Sequence, residues 1–222
     1  MKSLNAEIRP VSVDSQLLTL NRLWAYVLAL RSDGDTMELS PKDLLDGFTP
    51  EKKRYTTPQP IAGVEVLQLE RHVDDRGLFL EIFRTAATHP GGEKLVRFFN
   101  GVELAQLNYS LVTAQDHVKG LHYHLKQGDV WFCPPPFKLK VVMLDLRRGS
   151  PTAGAAQVVV LGEGRDAWLK IPPGVAHGYR PLTAPCGLFY VVTRCFDPAD
   201  PDEYRVPWDH PAVRDLWAVR NE

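Results

Sequence analysis

Beyond Pro60 the chain consists of short apolar segments that are separated by clusters of Gly, Pro and Asp. Segments of this length, rich in Val, Leu, Phe and Tyr, are typical of β-strands. No long amphipathic helix alternates with them, which disfavours a parallel α/β sheet. The pattern predicts a mainly β fold closed as a jelly-roll barrel, an arrangement that protects strand edges. The predicted strands are Gly63–Glu70, Leu104–Val112, Lys138–Asp145, Gln157–Leu161, Ala167–Ile171 and Gly187–Thr193.

A proline-rich junction from Thr56 to Pro60 divides the chain into two parts with different patterns. Between Leu17 and Leu30, apolar residues recur at the spacing of a helix. We therefore expect residues 1–59 to form a short helical N-terminal extension and residues 60–222 to form the barrel domain. The apolar stretch is short and is bracketed by Arg22 and Arg31, so it favours an interface helix over a membrane span.

The balance of charged residues argues against one class of partner, the nucleic acids. The 222 residues carry 26 Lys and Arg against 27 Asp and Glu, a formal net charge of −1. Without a block of like charges, this composition argues against a nucleic acid partner. The three cysteines, Cys133, Cys186 and Cys195, are odd in number and fit no zinc spacing. Together with the lack of a signal-peptide pattern, they favour a reducing, cytoplasmic setting.

Three of the seven histidines stand in a pattern that indicates a site. His122 and His124 are two residues apart, so both imidazoles point to one face if Leu121–Leu125 is a strand. His177 follows a Pro-Pro-Gly turn that we expect to bring its imidazole to the mouth of the same cavity. Any one of these histidines is equally explained as a hydrogen-bonded core or rim residue. The three together favour a site.

The spacing of these histidines, with Asp129 between them in the chain, resembles the two halves of the cupin signature. Within the cupins, the chain most resembles the dTDP-4-dehydrorhamnose 3,5-epimerase family. The resemblance covers roughly residues 63 to 217, and its motifs follow the family's order. The motifs are Asp74 to Glu81, Gln106 to Ser110, Val118 to His122, Leu144 to Arg147, Ile171 to Tyr179, Phe189 to Tyr190 and Trp208 to Asp209.

This resemblance implies an isomerase that works as a strand-exchanged homodimer without a cofactor or metal. It would invert C3, C5 or both in a dTDP-4-keto-6-deoxyhexose, with His122 as the base and Tyr190 as the acid on the opposite face. Lys119 stands where the family usually has an arginine that reaches the enolate oxygen or the diphosphate. It keeps the positive charge without the forked donors, so we expect it to be a third catalytic residue that stabilises the oxyanion more weakly. By the same resemblance, the residues that contact the nucleotide sugar are Arg76, Glu81, Gln106, Asn108 and His177.

Three departures from the family pattern leave alternatives open. The family's lysine after the histidine strand is missing, and Asp129 is the nearest occupant. No Ser-x-Lys-Asp segment follows Trp208 to supply the aspartate that supports the basic histidine, so we expect another carboxylate, first Asp129 and then Glu81, to approach His122. His124 replaces the usual glutamine and completes a set suited to Fe, Mn, Ni or Zn.

Two alternative functions follow from these departures. The first is a metal-dependent cupin enzyme using His122, His124, Asp129 and His177. The second is a catalytically weak, sugar-binding homologue.

Overall fold

The computed structural model describes residues 59–218 of the chain. The predicted helical extension over residues 1–59 falls almost wholly outside the described residues. Among the described residues, no helix is long and apolar enough to cross a membrane.

The described part of the chain is built mainly of antiparallel strands. The strands are β1 Glu65–Gln68, β2 Arg71–Asp74, β3 Gly77–Leu80, β4 Gln106–Val112, β5 Lys119–Tyr123, β6 Asp129–Phe132, β7 Lys138–Asp145, β8 Ala156–Gly162, β9 Ala167–Ile171, β10 Val175–Pro181, β11 Cys186–Val192 and β12 Tyr204–Arg205. Two five-stranded sheets have the orders β1-β9-β6-β11-β4 and β12-β5-β10-β7-β8, and β2 and β3 form a separate hairpin. This two-sheet architecture confirms the predicted mainly β barrel.

Strand β7 shows why this sequence folds as a layered structure. Its alternate residues Leu139, Val141 and Met143 join the main core, which also contains Trp131 and Leu169 of the opposite sheet. The other face is covered too, because Val142 and Leu144 pack against Val213 and Trp217 near the C-terminus. A strand buried on both faces is apolar throughout rather than alternating. Each such side chain contributes about 1.5–3 kcal/mol by burial.

One helix, α1 Pro90–Phe99, was not predicted from the sequence. It begins after His89, whose side chain accepts a hydrogen bond from the backbone N–H of Gly92 at 3.2 Å. Leu95, Phe98 and Phe99 recur on one face and are buried in a second core cluster with Trp168 of β9. The helix therefore covers the outer face of the β1-β9-β6-β11-β4 sheet.

The backbones of β5 and β10 approach each other unusually closely, and glycines make this possible. A Cβ at Gly120 would lie 2.5 Å from Cα of Gly178, and a Cβ at Gly178 would lie 2.5 Å from the carbonyl oxygen of Lys119. In the same pair of strands, His122 is the register partner of His177. The two glycines thus allow the strands to bring these histidines together.

We predict that Gly178→Ala lowers the free energy of unfolding by about 3 kcal/mol, because the new methyl group meets backbone atoms that cannot rotate away. The measurement is urea unfolding followed by circular dichroism. Gly128→Ala is the matched control, since its Cβ would meet its nearest neighbour, the Ile171 carbonyl oxygen, at an ordinary 3.5 Å. Equal stability of the two variants would contradict the prediction.

Candidate active site

A cavity of about 1160 Å³ opens between the two sheets. Five of the residues predicted to act on the substrate line it, and they come from both sheets through β4, β5 and β11. On β11, Leu188, Tyr190 and Val192 all face the cavity, as their alternate spacing predicts. The five predicted residues that line the cavity are Gln106, Asn108, Lys119, His122 and Tyr190.

Three predicted substrate contacts do not line this cavity. Arg76 lies at the tip of the β2-β3 hairpin, where its side chain is 85% exposed and pairs with Asp74. Glu81 pairs with Arg84 instead. His177 was expected at the cavity mouth, but it lies inside β10 and is only 2% exposed. The prediction placed it wrongly because the strand begins at Val175, immediately after the Pro-Pro-Gly turn.

His177 and His122 form the centre of the histidine cluster. Their ring centroids are 4.4 Å apart, and the ring of His124 lies 5.3 Å from that of His122. The predicted strand Leu121–Leu125 is displaced, because β5 ends at Tyr123 and His124 lies just beyond it. His124 nevertheless lines the cavity beside His122.

Asp129 is the buried carboxylate of this cluster. Its Oδ2 lies 3.4 Å from Nε2 of His177 and accepts a hydrogen bond from the Trp131 indole N–H at 3.0 Å. Its Oδ1 accepts a hydrogen bond from the Gln127 amide at 2.9 Å. Burial raises the pKa of Asp129, but its hydrogen bonds and the nearby histidines outweigh burial and hold the pKa below its usual range. Asp129 is therefore ionised.

His122 is the least buried of the three clustered histidines. Burial lowers its pKa, the neighbouring His177 lowers it further, and the charge of Asp129 opposes this shift. The net direction is downward from the ordinary value of 6.5. The imidazole of His122 is thus neutral near pH 7 and able to accept a proton.

The side chain of Asp202 organises the loop between β5 and β6. Its two carboxylate oxygens accept hydrogen bonds from the backbone N–H groups of Leu125, Lys126 and Gln127 at 2.8–2.9 Å. Its backbone carbonyl is also hydrogen-bonded to Nδ1 of His124. Sequence reasoning missed this residue because it lies more than 70 positions away in the chain, with no local pattern to mark it.

The wall opposite the histidines carries the other predicted polar residues. On β4, the Gln106 amide donates to Asn108 Oδ1 at 2.7 Å, and Asn108 is the register partner of Tyr190 on β11. Burial raises the pKa of Tyr190, and the charges of Asp129 and Glu203 raise it further. Its hydroxyl therefore keeps its proton and can donate it.

Three further polar residues in the cavity are hydrogen-bonded to one another, and the sequence did not predict that they would be neighbours. The Lys119 ammonium donates to Ser110 Oγ at 2.9 Å, and Ser110 Oγ lies 3.1 Å from the Tyr179 hydroxyl. All three residues line the cavity. Burial raises the pKa of Tyr179 to about 12, so this hydroxyl is also protonated. A sequence signal existed, because Tyr179 stands two residues after His177 and faces the same side of β10.

Four potential ligand atoms of the cluster lie within 4.8 Å of one another, one each from His122, His124, Asp129 and His177. Three imidazoles and a carboxylate are donors that suit several divalent metals. The same four groups can also perform proton transfer without a metal, because a neutral imidazole and an ionised carboxylate are side by side. The geometry alone is compatible with both kinds of chemistry.

Known proteins resemble this chain over most of the described residues. A family model described as dTDP-4-dehydrorhamnose 3,5-epimerase matches residues 58–221. The spore coat polysaccharide biosynthesis protein SpsL of Bacillus subtilis is 39% identical over 158 residues, which cover 71% of this chain and 96% of SpsL. A dTDP-4-dehydrorhamnose 3,5-epimerase of Sinorhizobium fredii is 34% identical over 175 residues, which cover 77% of this chain and 84% of that enzyme.

A solved structure gives the same relationship at the level of the fold. The epimerase RmlC of Legionella pneumophila, in complex with dTDP-4-keto-L-rhamnose, superposes with a TM-score of 0.60 at 25% sequence identity. The match covers 74% of this chain and 83% of the Legionella chain.

Proposed function

Because this chain belongs to the dTDP-4-dehydrorhamnose 3,5-epimerase family, we propose that it inverts C3, C5 or both in a dTDP-4-keto-6-deoxyhexose. The chain is thus an isomerase, and its relatives do not support the metal-dependent alternative. The observation that carries the proposal is the presence of His122 and Tyr190 on different sheets in one cavity.

The reaction requires a base and an acid on opposite faces of the sugar. His122 takes the proton from the carbon next to the ketone, and the electrons of the broken C–H bond move into an enolate. Tyr190 then donates its hydroxyl proton to the other face of that carbon, and the enolate electrons restore the ketone. The configuration changes while the oxidation state does not. Solvent returns the proton to Tyr190 and removes it from His122.

Asp129 supports the base in this proposal. The imidazolium formed on His122 needs a nearby negative charge, and Asp129 is ionised and buried within the same cluster. The charge of Asp129 raises the pKa of His122, which makes His122 a stronger base. His177 contacts both residues: its ring centroid lies 4.4 Å from that of His122, and its Nε2 lies 3.4 Å from Asp129 Oδ2. Its Nδ1 is hydrogen-bonded to the Val175 carbonyl oxygen at 2.9 Å.

A homodimer accounts for the position of Arg76. The β2-β3 hairpin carries exposed apolar side chains, including Val73 and Phe79, and the edge strand β4 exposes Leu107 and Tyr109. Pairing of these surfaces between two copies would bury both. It would also bring Arg76 of one copy to the cavity of the other, where a guanidinium can bind the diphosphate.

The three cysteines among the described residues are unpaired, and two of them, Cys133 and Cys186, are buried. Free thiols persist in a reducing environment. They support the cytoplasmic location that the sequence favours.

We predict that His122→Ala lowers the rate of deuterium uptake from heavy water into a dTDP-4-keto-6-deoxyhexose by at least about 100-fold. Tyr190→Phe keeps the base, so it should retain exchange but lose inversion, which proton NMR resolves at each carbon. His117→Ala is the control, because His117 is exposed and paired with Asp116 outside the cavity lining. Wild-type exchange in His122→Ala would overturn the proposed function.

We predict that Asp129→Asn slows exchange and moves its acid limb to lower pH. The sign follows from the charge of Asp129, which raises the pKa of His122, so its removal lowers that pKa and weakens the base. The measurement is exchange rate against pH with and without EDTA. A metal-independent enzyme keeps its rate in EDTA, whereas loss of exchange that is restored by a divalent ion would contradict the mechanism.

We predict that Arg76→Ala and His122→Ala proteins, each inactive alone, regain activity when unfolded and refolded together. In a mixed dimer, one cavity has His122 from its own chain and Arg76 from the partner, so random pairing restores about a quarter of the sites. Light scattering after size exclusion verifies the dimer. No recovery in mixed dimers would show that Arg76 does not act across the interface.

A further inference from the structure

The hydrogen-bonded group of Lys119, Ser110 and Tyr179 joins the two sheets inside the cavity. Lys119 and Tyr179 are register partners on β5 and β10, whereas Ser110 lies on β4 of the opposite sheet. Tyr179 is only 3% exposed, and its ring packs edge-on against Trp131 with centroids 5.8 Å apart. The group is therefore held from both sides of the barrel.

The number of donors in this group leaves one hydroxyl hydrogen without a partner. An ammonium group can only donate, so Ser110 Oγ accepts from Lys119. Between the two hydroxyls only one hydrogen can lie in the 3.1 Å contact, whichever residue donates it. The other O–H has no further acceptor among the described residues, and both hydroxyls line the cavity. That hydrogen is available to a bound ligand.

The group lies next to the histidine cluster along β10. The indole of Trp131 contacts both, with ring centroids 5.0 Å from His177 and 5.8 Å from Tyr179. A ligand that reaches His122 along this cavity thus has the Ser110 and Tyr179 hydroxyls on a separate part of the wall. Among the described residues, the base, His122, is not hydrogen-bonded to a donor on that part of the wall.

We propose that Ser110 and Tyr179, held by Lys119, form the hydrogen-bond donor that stabilises the enolate oxygen of the substrate. This inference rests on the proposed function, because proton removal places negative charge on the ketone oxygen. A preorganised donor in a buried site stabilises such charge strongly. The family resemblance leads one to expect a lysine after the histidine strand, but this chain has none there, and Asp129 is the nearest residue. A different donor to the enolate oxygen fits this departure.

The test is a double-mutant cycle with Tyr179→Phe, Ser110→Ala and the combined variant. Tyr179→Phe removes one oxygen and keeps the ring in the core, so the fold is retained. We expect each single variant to lower kcat for deuterium exchange by about 10-fold or more, with dTDP affinity within about twofold of wild type. The combined variant should be no slower than about the worse single variant, because the hydroxyls act as one unit.

Two control variants test whether the loss of rate is specific to the hydroxyl groups of Ser110 and Tyr179. Ser110→Thr retains the hydroxyl and should recover most of the rate lost in Ser110→Ala. Tyr123→Phe should exchange at the wild-type rate, because the Tyr123 ring stacks on Tyr204 and is not part of the cavity lining.

Three results would overturn the inference: a wild-type rate in Tyr179→Phe, independent multiplicative losses in the cycle, or a loss of dTDP affinity instead of kcat. The last would assign the group to the diphosphate. These failures are distinct from failure of the proposed function, because His122→Ala would still abolish exchange in each of them. Exchange at the wild-type rate in His122→Ala would contradict both the proposed function and this inference.

Discussion

The active cavity depends on the close contact between the backbones of β5 and β10. Gly120 and Gly178 face each other where any side chain would collide with the neighbouring strand. This contact sets the register in which His122 is paired with His177 and Lys119 with Tyr179. The proposed base and the group proposed to stabilise the enolate are therefore positioned by the same pair of strands. A displacement of β5 from β10 would move both.

The second constraint is the burial of a charge. An ionised carboxylate within a β barrel is costly unless several donors surround it. Asp129 has such donors in the Gln127 amide and the Trp131 indole, and the imidazole of His177 faces its second oxygen. The arrangement keeps Asp129 charged near the neutral imidazole of His122. This difference in charge is what a proton-transfer site requires.

Much of the fold could be predicted because apolar strand segments carry a local signal. Lys138–Asp145 and Ala167–Ile171 match observed strands to the residue. The helix Pro90–Phe99 was missed because its start, His89 followed by Pro and two Gly, is typical of a turn. Family motifs found the cavity residues on β4, β5 and β11. They did not place Arg76 correctly, because its side chain is 85% exposed at the tip of the β2-β3 hairpin and does not line the cavity.

The family motifs contain Ser110 and Tyr179 but do not pair them, because the two residues meet only through contacts between distant parts of the sequence. Ser110 and Tyr179 are separated by 69 positions, and only the closure of the barrel makes their hydroxyls neighbours. The two-residue spacing from His177 indicates the side of β10 that Tyr179 faces, but no spacing indicates that Ser110 is its neighbour. Local patterns therefore found the strand faces, whereas the hydrogen bonds across the cavity needed the three-dimensional structure.

The ribosome makes the chain from the N-terminus, so the position of Asp202 determines when the loop that it holds can be fixed. The strands that carry His122, Asp129 and His177 are synthesised before Asp202, whose carboxylate holds the loop after His124. In this order, β5, β6 and β10 emerge before the residue that holds the loop between β5 and β6. The backbone after His124 is therefore fixed only once Asp202 has been made, and Nδ1 of His124 gains its partner at the same point. The histidine cluster thus reaches its final arrangement later than the strands that carry it.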